Sequence, residues 1–251
     1  MILRRVTKHV REQNWLAVAL DFLIVVSGIL IAFQITSWAE AGQDRRDERR
    51  YLAELSRDAG VNVTRAQEHQ LSTLQRLAFA ELILNEVDPD YARPAFWPVI
   101  SGPTSPNPDF ADYPYAALTT SVYLVGADST FEELIQTGRI GVISNRQLVS
   151  DLTEFYNQLE QYSNEDDIVF AQVQPMLGYL RANGLGLGDQ PDIADVIERA
   201  RTDPEFLGYV KMAAFISQWQ YVNMSRVETR AEALRATINA ELGVADRETT
   251  P

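Results

Sequence analysis

The alternation of apolar and polar positions divides the chain into one uninterrupted apolar block and a long succession of helical periodicities. The block is Trp15 to Ala39, WLAVALDFLIVVSGILIAFQITSWA. Its 20 residues from Leu16 to Ile35 would cover about 30 Å as a helix, the thickness of a bilayer's hydrocarbon core. Trp15 and Trp38 stand at the two interface levels. The pattern reads as an uncleaved transmembrane anchor over residues 15–39, after a basic tail over residues 1–14. A cleaved signal peptide is the rival, with Arg4, Arg5, Lys8 and Arg11 as its basic region and Ala39-Glu40-Ala41 as its cleavage site. Trp38 and Glu40 crowd that site, and a block as long as a bilayer is thick favours the anchor.

Beyond the anchor, residues 40–251 read as one helical domain. Asp44 to about Val87 contains no proline, and Leu52, Leu55, Ala59, Leu74, Leu77, Ala78, Leu82 and Leu84 form an apolar stripe. The stripe weakens where Asn62, Ala66, His69 and Thr73 lie near the seam. Only Gly42 separates this helix from the anchor, so the two can form one nearly continuous rod. The clearest period lies further on. Leu148, Phe155, Tyr162, Val169 and Met176 fall seven apart, as do Leu152, Leu159, Asp166, Val173 and Leu180. Nine of these ten positions are apolar or aromatic, which is the pattern of a helix packed in a bundle or coiled coil. Ser144-x-x-Gln147 predicts its start as a capping box, Asn183-Gly184 its end, and Pro175 a kink.

A third long helix is predicted over Pro204–Leu242, with Asp203 as N-cap, Pro204 in the first turn and Gly243 closing it. Short helices are expected at Ile193–Arg201 and after Ser129, where Ser129-x-x-Glu132 can cap and Gly138 can stop the chain. Ile140, Val142 and Ile143 then plug the bundle. The predicted fold class is all-α: one N-terminal transmembrane helix, then an elongated extracytoplasmic bundle of three long helices with two short ones. Residues 88–128 are the exception, a long loop with seven prolines between Pro89 and Pro114. Its aromatics, Tyr91, Phe96, Trp97, Phe110, Tyr113 and Tyr115, suit either a cover over the bundle or a partner or ligand surface.

Charge and composition narrow the function classes. The chain totals are 22 basic and 35 acidic residues; removing the four basic and two acidic residues before Glu40 leaves 18 against 33. Such a domain repels nucleic acid phosphates and disfavours extensive contact with anionic membrane surfaces. The chain has no cysteine, which excludes disulfides, thiol nucleophiles and thiolate metal sites. His9 and His69 are its two histidines, so neither a serine–histidine–aspartate triad nor a histidine metal cluster is expected. His69 reads as a structural residue near a seam. No catalytic residue, metal ligand or cofactor is predicted. The basic tail favours a cytoplasmic N-terminus and an external domain, although Arg45, Arg46, Arg49 and Arg50 follow the span closely.

Within the anchor, Asp21 lies five residues past Leu16, where an ionisable group is expensive and often marks a partner. Ser27, Gly28 and Ala32 offer a small-residue face, and Gln34 can hydrogen-bond across it. Together these predict intramembrane contact with a membrane-protein partner or a second copy of the chain, against the plainer reading of a simple anchor.

Two segments resemble a bacterial family of single-pass membrane proteins, domain-of-unknown-function family 6090. One is LDFLIVVSGILIAFQITSWAE, Leu20 to Glu40, where Asp21, Gly28, Gln34, Trp38 and Glu40 match, Asp21 standing for the family's glutamate. The other is Ser129 to Asn157, where Phe131, Gly138, Ile143, Asn145, Leu148 and Tyr156 carry the likeness. Gly138, Ser144, Asn145 and Tyr156 read as a structural motif there. The resemblance implies an anchored helical ectodomain in the bacterial inner membrane and no assigned activity. The expected function is therefore a non-enzymatic accessory or scaffold protein, docking partners through its anchor and its periplasmic bundle. A ligand-sensing bundle acting through a partner is the alternative, and a hydrolase the third reading.

Overall fold

The computed structural model describes residues 15–92, 112–119 and 125–244. All the regular structure in these residues is helical. The chain divides into two compact units, Met1–Arg50 and Tyr51–Pro251. Helix α1, Trp15–Val87, is 73 residues long and supplies the helical part of the first unit and the first long helix of the second. From Phe22 to Trp38 its surface is mostly apolar and open. Phe22, Leu23, Leu30 and Phe33 each expose 60% or more, and α1 contains the one described helix long and apolar enough to cross a membrane.

The second unit is built on three long helices: α1 from Tyr51, α4 (Arg146–Ala182) and α6 (Pro204–Leu242). Ser56 bonds Asn239, Gln70 bonds Glu228 and Lys211 pairs with Asp88, so α1 and α6 run antiparallel. Glu154 meets Arg230 and Glu165 meets Asn223, so α4 also runs antiparallel to α6. Each helix presents one seam. On α1 the buried positions include Leu52, Leu55, Ala59, Asn62, Ala66, His69, Thr73, Arg76, Ala80 and Ile83. On α6 they include Phe206, Val210, Ala213, Ser217, Gln220, Met224, Val227, Ala231, Leu234 and Ile238. Both series step by three and four, the coiled-coil alternation; of the α4 positions predicted from the heptads, Leu148, Leu152, Phe155, Leu159, Val169, Val173, Met176 and Leu180 are buried and Tyr162 is half-buried. The stripe expected on α1 needs one correction. Leu82 is exposed and Ile83 takes its place in the core, because a seam at 80 and 83 leaves 82 on the outer side.

Short elements close the bundle: α2 (Pro114–Thr119), α3 (Ser129–Gln136), a 3-10 turn (Arg139–Val142) and α5 (Ile193–Thr202). Helix α2 is a third short helix, inside the segment expected to be loop. The predicted capping boxes also shift. Asn145, and not Ser144, is the N-cap of α4: its side-chain oxygen accepts from Gln147 N at 3.0 Å and Leu148 N at 3.1 Å. At α3 the N-cap position is Asp128, without a capping side-chain bond, and Asp58 of α1 accepts from Thr130 N at 3.4 Å. The expected stops hold. Gly138, Gly184 and Gly243 all have φ near +70°, a left-handed turn that glycine takes at little cost. At Gly184, Leu185 N reaches Leu180 O at 2.8 Å and Gly184 N reaches Arg181 O at 3.2 Å, a paired helix stop. Pro175 lies within α4 on its exposed side.

The chain from Val125 to Thr130 is pinned across α1. Asn62 Nδ2 donates to Ala127 O at 2.9 Å and Asn62 Oδ1 accepts from Ala127 N at 2.7 Å. Arg65 donates to Val125 O at 2.5 Å. This clip delivers Phe131 onto Tyr156, ring centroids 4.6 Å apart and nearly parallel, with Phe155 edge-on at 5.1 Å. Ile143 and Leu148 are fully buried in the same cluster, so the residues singled out between Ser129 and Asn157 form one packed corner. Burial, with Asp58 and Asp128 nearby, pushes the Tyr156 phenol above its ordinary pKa.

Two outcomes are expected from this packing. A Cβ on Gly126 would stand 2.6 Å from Leu159 Cδ2 and 3.0 Å from its Cγ, so Gly126→Ala lowers stability by about 1–3 kcal/mol in chemical denaturation. Asp203, the N-cap of α6, accepts from Tyr179 Oη at 2.6 Å, and from Glu205 N and Phe206 N. The Tyr179 bond first, then Phe206 N, holds its carboxyl below the ordinary range. Its contribution is complete above the unfolded aspartate pKa and is lost as pH falls through the lowered folded value. The fall of the thermal midpoint below about pH 4 is therefore shallower in Asp203→Asn than in the wild type.

Candidate functional site

The core of the bundle is two apolar clusters. One joins Tyr51 to Ala66 of α1 with α3, the first half of α4 and the end of α6. The other joins Leu77 to Leu84 with α2, the end of α4, α5 and the start of α6. The seams of α1 and α6 continue between them, and there they turn polar. His69, Thr73, Arg76, Ser217, Gln218, Gln220 and Asn223 are all buried. Helical spacing forces the burial of His69, Thr73, Arg76, Ser217 and Gln220, because a position that belongs to the seam cannot leave it without breaking the helix; Gln218 and Asn223 flank the seam.

Arg76 is the centre of the belt and is 2% exposed. Its Nε donates to Ser217 Oγ at 2.7 Å, its Nη2 donates to Gln220 Oε1, and Ser217 Oγ donates onward to Ala213 O at 2.7 Å. Thr73 Oγ1 and His69 Nδ1 lie 3.2 Å apart. Asn223 donates to Glu165 at 3.3 Å, and Gln218 donates to the Tyr91 hydroxyl at 3.4 Å. The belt's edge is bound by Glu228, which accepts from Gln67 and Gln70. A cavity of about 10 Å³ borders Arg76, beside Gln172, Met176, Tyr209 and Met212, room on the scale of a single water. A wider surface groove of about 230 Å³ runs over Phe155 and Leu234 between Asp151, Glu154 and Arg230.

This chemistry is hydrogen-bonding chemistry. Ser217 donates to a helix carbonyl and receives a guanidinium N–H, which directs both away from service as a nucleophile. Among the described residues no group of three or more His, Cys, Asp or Glu is placed to hold a metal. His69 is buried, as its place near the seam implied. Thr73, also placed near the seam, is buried too, whereas the belt formed with Arg76, Ser217 and Gln220 was missed because each of these looks isolated along the chain. The signal available was their heptad position, Arg76 seven residues after His69 and Ser217 seven after Val210.

The sequence-predicted sites fare differently from one another. Tyr115 is 2% exposed and meets Phe206 edge-on at 6.1 Å, so it is core and not a partner surface. Its burial follows from α2, which turns it onto the second cluster. Tyr91 is half-buried against that cluster and Tyr113 is exposed. Phe96, Trp97 and Phe110 lie outside the described residues, as do the side chains of Asp21 and Asp166. In the anchor, Gly28, Ala32 and Gln34 are exposed and Ser27 is half-buried; a Cβ on Gly28 would meet nothing within 4 Å. Helical geometry splits the predicted face in two. Positions 21, 28 and 32 stack within about 40° of arc, whereas 27 and 34 share a line roughly 120° away.

Replacing Arg76 by Met strips Ser217 and Gln220 of their guanidinium donors and costs about 1–3 kcal/mol, read from the urea midpoint. Adding Ser217→Ala and Gln220→Leu recovers more than half of that loss, because an apolar layer leaves fewer buried groups unsatisfied. No protein-family model, no curated protein and no solved structure matches this chain.

Proposed function

We propose that this chain is a membrane-anchored accessory or scaffold protein, a member of domain-of-unknown-function family 6090, held in the bacterial inner membrane with its N-terminus cytoplasmic and residues 40–251 periplasmic. The observation that supports it is the open apolar surface of α1. Its most apolar 18-residue window has a mean hydropathy of 2.0 and none of it is buried. Such a surface is unfavourable in water by roughly 25 cal/mol for each Å² and is at home in lipid. In this reading the line of positions 21, 28 and 32 receives a partner helix, and the bundle docks a second protein outside the membrane.

The polar belt favours a second reading, a bundle that senses a ligand and passes the signal through a partner. A buried arginine among amides and a hydroxyl suits recognition better than catalysis.

The test is extraction of the C-terminally tagged chain from native membranes in mild detergent, followed by mass spectrometry. One membrane protein is expected in stoichiometric amount with the wild type, and depleted with Asp21→Leu and Gly28→Leu combined. A wild-type chain recovered alone overturns the scaffold reading and moves the weight to ligand sensing. A partner retained by the variant removes the anchor from the docking.

A further inference from the structure

The turns of α1 just beyond the proposed span carry four arginines, Arg45, Arg46, Arg49 and Arg50, and all four are exposed. At about 100° per residue they fall within an arc of roughly 140°. Trp38, itself 83% exposed, lies on the same side, seven residues before Arg45 and eleven before Arg49. The acids of this stretch, Glu40, Asp44, Asp47 and Glu48, occupy the opposite arc, roughly 200° to 300° from Arg45. Arg50 approaches Asp47 of the acidic arc at 4.0 Å, an i,i+3 pair. Among the described residues, Arg45, Arg46 and Arg49 form no ion pair.

We infer that this arginine face binds the phosphate groups of anionic phospholipids in the leaflet where α1 emerges at Trp38. The inference rests on residues 15–39 being a membrane span. Arg45 stands about 10 Å above Trp38 along the helix and Arg50 about 18 Å, at 1.5 Å per residue. A headgroup layer is roughly 5–7 Å deep on each side of the hydrocarbon. Arg45 and Arg46 cover the difference by extending toward the interface, as long cationic side chains do. Arg49 and Arg50 come within reach when the helix leans toward its arginine side, and tilts of about 20° are ordinary. The guanidinium fork matches phosphate oxygens in a two-point contact that a point charge cannot make. The acidic arc, repelled by the same lipids, settles which side of the helix leans down. The net negative charge of the domain as a whole does not oppose this, since charges beyond about 8 Å are screened at physiological salt.

The experiment uses the full chain reconstituted in phosphatidylcholine vesicles doped with spin-labelled phosphatidylglycerol or spin-labelled phosphatidylcholine. Electron spin resonance then reports the motionally restricted fraction of each label. The wild type is expected to restrict the anionic label about threefold or more over the zwitterionic one. That preference falls to near unity when Arg45, Arg46, Arg49 and Arg50 are all changed to Gln, with helix content unchanged by circular dichroism, and also in 1 M salt. Equal restriction of the two labels by the wild type overturns the inference. A preference kept in full by the Gln variant assigns it to the basic N-terminal tail and overturns it equally. A chain stripped from the vesicles by alkaline carbonate overturns the span itself, a result read before any lipid preference is measured.

Discussion

The seam formed by alternating steps of three and four along α1, α4 and α6 is the constraint on which the domain depends. Once Leu52, Leu55 and Ala59 face inward at one end of α1, and Ala80 and Ile83 at the other, every intermediate seam position follows them inward. Asn62, His69, Thr73 and Arg76 are buried for this reason, although none would choose an apolar site alone. The fold answers by supplying partners at the same level. Ser217 and Gln220 occupy the seam of α6 opposite Arg76, and Asn62 is satisfied by the backbone of Ala127. A polar layer of this kind adds little to stability and specifies register, because sliding either helix by one heptad would strand its hydrogen-bonding groups.

The clip at Asn62 has a second consequence. It holds the chain at Val125–Thr130 against α1, and Gly126 lets that chain approach Leu159 of α4 closely. From there α3 turns Phe131 onto Tyr156, while the left-handed Gly138 and the Asn145 cap start α4 in the direction that buries Ile143 and Leu148. One local arrangement thus joins the start of α4 to α1. It accounts physically for why Phe131, Ile143, Leu148 and Tyr156 pack as one set, with Gly138 and Asn145 setting the turns between them.

Charge acts on two scales in this chain. Summed over residues 40–251, acidic groups dominate, and that sum governs long-range encounters. Within a few turns of the proposed span, the order of residues along the helix matters more than the sum. Arginines and acids alternate in sequence there and separate in space, because a helix returns to the same side after three or four residues.

The sequence by itself determined the helical class, the apolar span, the heptads of α4 and the ends of α6, from Asp203 and Pro204 to Gly243. Those features are local: a cap, a stop or a period is complete within a few turns of one helix. What only the tertiary structure decided involves residues brought together from distant parts of the chain. The polar belt needs Arg76 and Ser217, which are 141 positions apart. The α3 terminus is bonded by Asp58 from another helix, and Tyr115 becomes core because α2 meets Phe206. Asn145, and not Ser144, caps α4: its side-chain oxygen accepts from Gln147 N and Leu148 N while its amide nitrogen donates to Glu241 of α6, a partner 96 positions away. Local pattern names the elements; their mutual register, fixed by packing, decides which polar residues are enclosed.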